Sequence, residues 1–295
     1  MEWWVYMPKV ELHAHLNGSV RDSTLLELAR VLGDEGVIVF SDVEHVIMKD
    51  DRSLHEVFKL FDLIHILTTD HKTVTRITKE VVEDFAYENV VYLELRTTPK
   101  KNDSKGMSKR SYMEAVMEGL RAVTAVDVDF APQSLDARTS LNRIPMNGTC
   151  HGATRRKIYV PNHEEIQMML DFLPNRIGHA CCFSEEDWRK LKSSKIPVEI
   201  CLTSNIRTNT ISSLDIHHFV DLYNAKHPVI LCTDDSGVFS TSLSKEYSLA
   251  SSAFGLGKKE LFQLARNGID YIFADDEVKG DLTEIFSSAA KELDL

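Results

Sequence analysis

"KVELHAHLNGS", Lys9–Ser19, ends an apolar run on two histidines one residue apart. The run from Val10 to about Leu16 reads as a buried strand. Residues two apart on a strand project to the same side, so His13 and His15 share a face. Two imidazoles on one side can share a metal ion, and an aspartate from a distant strand can add a ligand.

Four more strand-like runs lie further along: "VVYLELRTT" (Val90–Thr98, stopped by Pro99), "RIGHA" (Arg176–Ala180), "VEICLTSN" (Val198–Asn205) and "VILCTDD" (Val229–Asp235). Helical periodicity falls between them, over Asp22–Leu32, Leu54–Leu67, Thr73–Glu88, Tyr112–Val126 and Asn162–Leu173. Apolar strands alternating with helices predict an α/β protein with a parallel sheet. In each strand the polar residues come last: His13 and His15, His179, Ser204 and Asn205, Asp234 and Asp235. Functional side chains at the C-terminal ends of successive parallel strands mark the catalytic face of a (β/α)8 barrel. Each piece alone has an ordinary explanation. A lone His-x-His is commonly surface or core, paired aspartates cap helices, and His179 alone would pass for a hydrogen-bonded core histidine. Their recurrence at strand ends, in order, favours a metal site. His217 and His218 fall in a helical or turn segment and read as solvated.

The 295 residues, 43% hydrophobic and 27% charged, describe an ordinary globular chain, and no repeat or linker divides it, so one domain over 1–295 is expected. A net charge of −11 argues against nucleic-acid or anionic-membrane partners. "MEWWVYMPK" lacks a signal-peptide pattern, and no apolar run approaches a membrane span. The five cysteines form no CxxC pair, and Cys201 and Cys232 sit inside apolar runs, which suits a reducing, cytosolic setting.

With "FDLIHILTTD" added to the strand motifs, the chain resembles the adenosine deaminase-like branch of the metal-dependent aminohydrolases, the branch associated with N6-methyl-AMP. The resemblance spans most of the chain. It implies a metal-dependent hydrolase (β/α)8 barrel of the TIM type, holding one zinc through His13, His15, Asp234 and a third histidine from the fifth strand. It implies that the metal lowers the pKa of a bound water and that the resulting hydroxide attacks C6 of a purine nucleotide. His179 would orient that water and act as base, Asp235 would hold the nucleophile and the ring, and loss of amine or methylamine would leave IMP. It places the substrate against His15, Asn17, His65, Ile66, Leu67, Thr68, Thr97 and Asp235. Relatives acting on free adenosine carry aspartate where this chain has Asn17; removing that charge favours a 5′-phosphate. The expected partner is therefore a small purine nucleotide, bound by a monomer.

The pattern breaks in the middle. The third histidine and a general-acid glutamate should appear together as His-x-Gly-Glu, and no such segment exists. Pro99–Asn175 is 77 residues, too few for the remaining units at about 30 residues each. "RRKIYV" matches the start of the third strand and "PNHEEIQMMLDF" the helix after the fifth, so an internal deletion at Val160/Pro161 removes most of strand three, strand four and strand five. His163, Glu164 and Glu165 lie just past the junction. They are expected on a first helical turn, and so are not expected to replace the lost ligand and acid. An open five-strand sheet would also bare edges that closure hides.

Three readings follow: a zinc aminohydrolase acting on N6-methyl-AMP or a close relative; a catalytically impaired splice or gene-model form, at most a nucleotide- or partner-binding remnant; or a two-metal amidohydrolase. The last lacks a bridging ligand, and the HxE…PCxxC signature of cytidine-type deaminases is absent.

Overall fold

The computed structural model describes residues 3–124 and 162–295. Among the described residues there are five parallel strands: β1 (Lys9–His15), β2 (Val90–Arg96), β3 (Ile177–Gly178), β4 (Val198–Ile200) and β5 (Val229–Leu231). β1 pairs with β2, and β3, β4 and β5 form a second ladder. The ladders join where the Asp234 amide donates to the His13 carbonyl (2.8 Å) and the His15 amide donates to the Asp234 carbonyl (2.9 Å). The hydrogen-bonded order is therefore β3-β4-β5-β1-β2, an open arc of parallel strands. The Val160/Pro161 junction, "KIYV" and the polar stretch to Thr154 lie outside the described residues, as does the expected helix end at Val126.

Burial separates the centre of the arc from its edge. β1 is buried at every position before His15, whereas β2 is only half-buried along its whole length. Helices fall where periodicity placed them, at Asp22–Asp34, Leu54–Leu67, His71–Tyr87, Lys109–Arg121 and His163–Asp171. Their starts are chemically marked. Ser53 and Glu56 form a capping box, and the Asp70 side chain accepts the Thr73 amide. The helix Phe40–Ile47 was not anticipated.

Two strand ends differ from expectation. Ser204 and Asn205 do not close a strand: β4 stops at Ile200, and both residues lie on the helix Leu202–Arg207. "RIGHA" supplies only two strand residues, because His179 and Ala180 turn to φ of 56° and 55°, a left-handed conformation that no strand accommodates.

Charged side chains link β2 to β3, the two ends of the arc. The Arg176 guanidinium, at the entry to β3, donates to Glu94 of β2 and, at 2.7 Å, to Glu199 of β4. Arg96 of β2 also donates to Glu199, at 2.6 Å, and the Phe273 amide donates to Glu94 at 2.9 Å. Burial favours a neutral carboxyl at Glu199, but Arg96, His13 and Arg176 outweigh it and hold the group well below the usual carboxylate range. Among the described residues no helix is long and apolar enough to cross a membrane.

Arg176 is buried, so Arg176→Met leaves two carboxylates without their common cation. Urea denaturation should register a loss of about 3–5 kcal/mol; a midpoint shift too small for that would mean the network does not tie the arc.

Candidate active site

The parallel bridge between β1 and the residues after β5 sets the geometry. It places His13, His15 and Asp234 side by side at the C-terminal edge of the sheet. His13 Nε2 and His15 Nε2 are 3.2 Å apart, and they lie 3.5 and 3.2 Å from Asp234 Oδ1. Metal–ligand distances of about 2.0–2.1 Å put tetrahedral zinc ligands about 3.3 Å apart. The three donor atoms are already spaced as one face of such a tetrahedron.

The donor chemistry fits as well. His13 Nδ1 is 2.6 Å from Glu199 Oε2. An ionised carboxylate only accepts, and its 2.6 Å contact is shorter than the 3.1 Å approach of Arg96 Nη1 to the same nitrogen, so Nδ1 carries the proton and Nε2 offers its lone pair. Asp234, at φ 66°, is turned toward the histidines, and Ser204 Oγ donates to its Oδ2 at 2.7 Å. A second cluster, His13, His179 and Cys201, has suitable spacing. Burial pushes the Cys201 thiol well above its ordinary range, with Asp234 and other neighbouring groups adding to it. The His13, His15, Asp234 set is the better candidate metal site, since its three donors are of the kind and number a catalytic zinc takes.

Around this set the structure brings together the other expected residues. The His179 ring lies 4.8 Å from that of His13, with Nε2 3.7 Å from Asp234 Oδ2. Asp235 follows, buried against the Leu16–Gly18 turn; a Cβ on Gly18 would stand 1.6 Å from Asp235 Oδ1, so only glycine permits that approach. Glu11, raised to about 7 chiefly by burial, accepts from the His13 amide and the Thr233 amide and hydroxyl, joining the segment before Asp234 to β1. The buried Arg52 guanidinium grips the carbonyls of Gly237 and Val238 just beyond.

A polar patch adjoins this centre. Asn17 Nδ2 donates to the Tyr112 hydroxyl (3.1 Å) and Thr97 Oγ1 (3.3 Å), and those two hydroxyls are 2.7 Å apart. The Thr68 hydroxyl donates to the Ile64 carbonyl and accepts from Lys100 Nζ at 2.5 Å. "HILT" is split: Leu67 and Thr68 are buried, while His65 and Ile66 are exposed at the helix end. Burial pushes Lys100 down to about 8, and its charge in turn helps burial to lower His65.

His217 and His218 are not solvated: His217 is buried with Nε2 bonded to Asn205 of the helix Leu202–Arg207, and His218 is half-buried with Nε2 bonded to the carbonyl of the turn that carries His179. His163 starts the helix His163–Asp171 and pairs with Asp187 at 3.0 Å. Glu165 forms that helix's capping box with Asn162, and Glu164 is exposed, so the segment's polar groups serve the helix start and belong to neither cluster. Sequence reasoning missed Glu199, Lys100 and Tyr112. The glutamate inside the apolar "VEIC" was the one readable signal among these.

A family model described as "Adenosine deaminase" matches residues 8–134 and 162–288. The "N6-mAMP deaminase" of Arabidopsis thaliana is 57% identical over 360 residues, covering 99% of this chain and 99% of that protein. That span exceeds the 295 residues of this chain, so the relative carries internal sequence that is missing here. The "N6-Methyl-AMP deaminase" of Homo sapiens is 34% identical, with 95% of this chain and 93% of that protein covered. A crystal structure of Arabidopsis ADAL complexed with IMP superposes with a TM-score of 0.86 at 58% identity, over 99% of each chain.

Competition against a chromophoric zinc chelator should show tight binding abolished in His15→Ala and weakened about 10–100-fold in Glu199→Gln. Equal affinity in all three proteins would rule out this donor set.

Proposed function

The chain belongs to the adenosine deaminase family of metal-dependent hydrolytic deaminases, and we propose that it hydrolyses N6-methyl-AMP, or a closely related purine nucleotide, at C6 to give IMP and methylamine or ammonia. The observation that carries this reading is the tetrahedral-face spacing of His13, His15 and Asp234. We take the metal to be one zinc per chain. Bound zinc supplies Lewis acidity that makes water a competent nucleophile near neutral pH.

The chain's own residues supply the rest. Glu199, through His13 Nδ1, keeps one ligand in register, and Ser204 does the same for Asp234. Asp235 and His179 are the two groups placed to orient the nucleophile and the purine. Asn17, neutral and anchored to Thr97 and Tyr112, leaves the ribose end free of negative charge, and Lys100 beside Thr68 offers a cation for the 5′-phosphate. Among the described residues no carboxyl in the metal clusters beyond Asp234 stands in for the missing glutamate. Turnover is therefore expected about 10²–10⁴-fold below that of a relative with a complete acid. The reading extends to a monomeric, single-domain chain in the cytosol.

A second reading, a nucleotide-binding form without turnover, is favoured by the break at 135–161 in the family match. Incubation of the zinc-loaded chain with N6-methyl-AMP separates the two. Zinc-dependent formation of IMP, lost in His179→Ala, supports the deaminase; nucleotide binding without IMP supports the remnant.

Lys100→Met should raise KM for N6-methyl-AMP about 10–100-fold, as loss of a charged hydrogen bond does, and leave N6-methyladenosine unaffected. Because burial lowers Lys100 to about 8, the charged form is lost above that pH, and the wild-type preference for nucleotide over nucleoside should decline there. A preference unchanged in Lys100→Met would remove the lysine from the phosphate site.

A further inference from the structure

The sequence reads His217 as solvated and Asn205 as the end of a strand, yet both are buried, with Asn205 against His179. The Phe219 amide donates to His217 Nδ1 at 3.1 Å. A backbone N–H can only donate, so the proton of neutral His217 sits on Nε2. That nitrogen is 3.1 Å from Asn205 Oδ1 and donates to it. The carboxamide nitrogen of Asn205 then faces His179 Nδ1 at 2.9 Å, again as a donor. His179 Nδ1 must accept, which leaves its proton on Nε2, the nitrogen 3.7 Å from Asp234 Oδ2.

The polarity cannot be reversed locally. Turning the Asn205 amide over would set its nitrogen against the His217 Nε2 proton. Moving that proton to Nδ1 would set it against the Phe219 amide. Each step puts donor against donor in a buried site, where an unsatisfied polar group is costly. Charging His217 would create the same clash, and burial, followed by the charge of His218, pushes it down to about 3. The ring has little freedom to escape. His218 stacks on His217 with centroids 4.4 Å apart, and its Nε2 donates to the His179 carbonyl at 2.7 Å. That contact pins the turn in which His179 and Ala180 hold positive φ.

We infer that Phe219, His217 and Asn205 form a one-way hydrogen-bond chain that fixes neutral His179 as its Nε2–H tautomer, so that it meets the reacting centre as a hydrogen-bond donor and not as a base. The inference rests on the deaminase reading only for what His179 faces; the tautomer itself is independent of turnover. Asn205 and His217 are positioning residues. They act through His179.

The test is long-range 1H–15N correlation on the full chain with 15N-labelled histidine, at a pH where His179 is neutral, with assignments from His179→Gln and His217→Gln. The expected spectrum shows both His179 and His217 with a bare Nδ1 and a protonated Nε2. A protonated Nδ1 on either ring, or averaging between tautomers, overturns the inference. Asn205→Asp replaces the donor by a carboxylate and should move the His179 proton to Nδ1; an unchanged Nε2–H tautomer in that folded variant also overturns it. Because the wild-type spectrum is decisive alone, a variant that fails to fold does not rescue the proposal.

Discussion

Two backbone hydrogen bonds hold the site together: the Asp234 amide to the His13 carbonyl and the His15 amide to the Asp234 carbonyl. They join the two-stranded and three-stranded ladders into one arc. The same bonds fix the three donor side chains relative to one another, since each belongs to a residue whose backbone takes part. Asp234 reaches the histidines from the left-handed region, a strain of about 1–3 kcal/mol for a residue other than glycine. The bridge, the Ser204 hydroxyl and the crowding of Asp235 against Gly18 together over-determine that conformation.

The second constraint is charge. Glu199 carries three cationic or proton-donating partners, Arg96, Arg176 and His13, and so joins the structural network to the candidate metal site. One carboxylate both helps tie β2 and β3 across the arc and sets which His13 nitrogen is available to a metal. A shortened barrel that kept this network keeps the wall on which the donors stand, even though β2 is left half-buried. This accounts for a close superposition on a longer relative.

Much of this was legible in the sequence because it depends on short-range pattern. The buried run into "HAH", the other apolar runs between helical segments and the polar residues closing them sufficed for five parallel strands, and they singled out His13, His15, His179, Asp234 and Asp235 as candidates. What was illegible depends on partners far along the chain. His218 is held by His179, 39 residues away, and Lys100 by Thr68, 32 residues away, so nothing local announced their burial. Ser204 and Asn205 read as strand because "VEICLTSN" continues an apolar run; Cys201 gives the helix start no side-chain cap, and the carboxylate that accepts the Thr203 amide comes from Glu246, 43 residues away. The missing fifth-strand ligand was visible only through the family resemblance, since total length is ample for a barrel.

The central claim is that the shortened chain still presents the His13, His15, Asp234 donor set. X-ray absorption at the zinc edge on protein loaded with one equivalent tests it most directly. The account predicts one zinc per chain in a shell of nitrogen and oxygen at about 2.0–2.1 Å, with multiple scattering from two imidazoles. A sulfur scatterer at about 2.3 Å, which would point to Cys201, or no stoichiometric zinc in the folded chain, would contradict it.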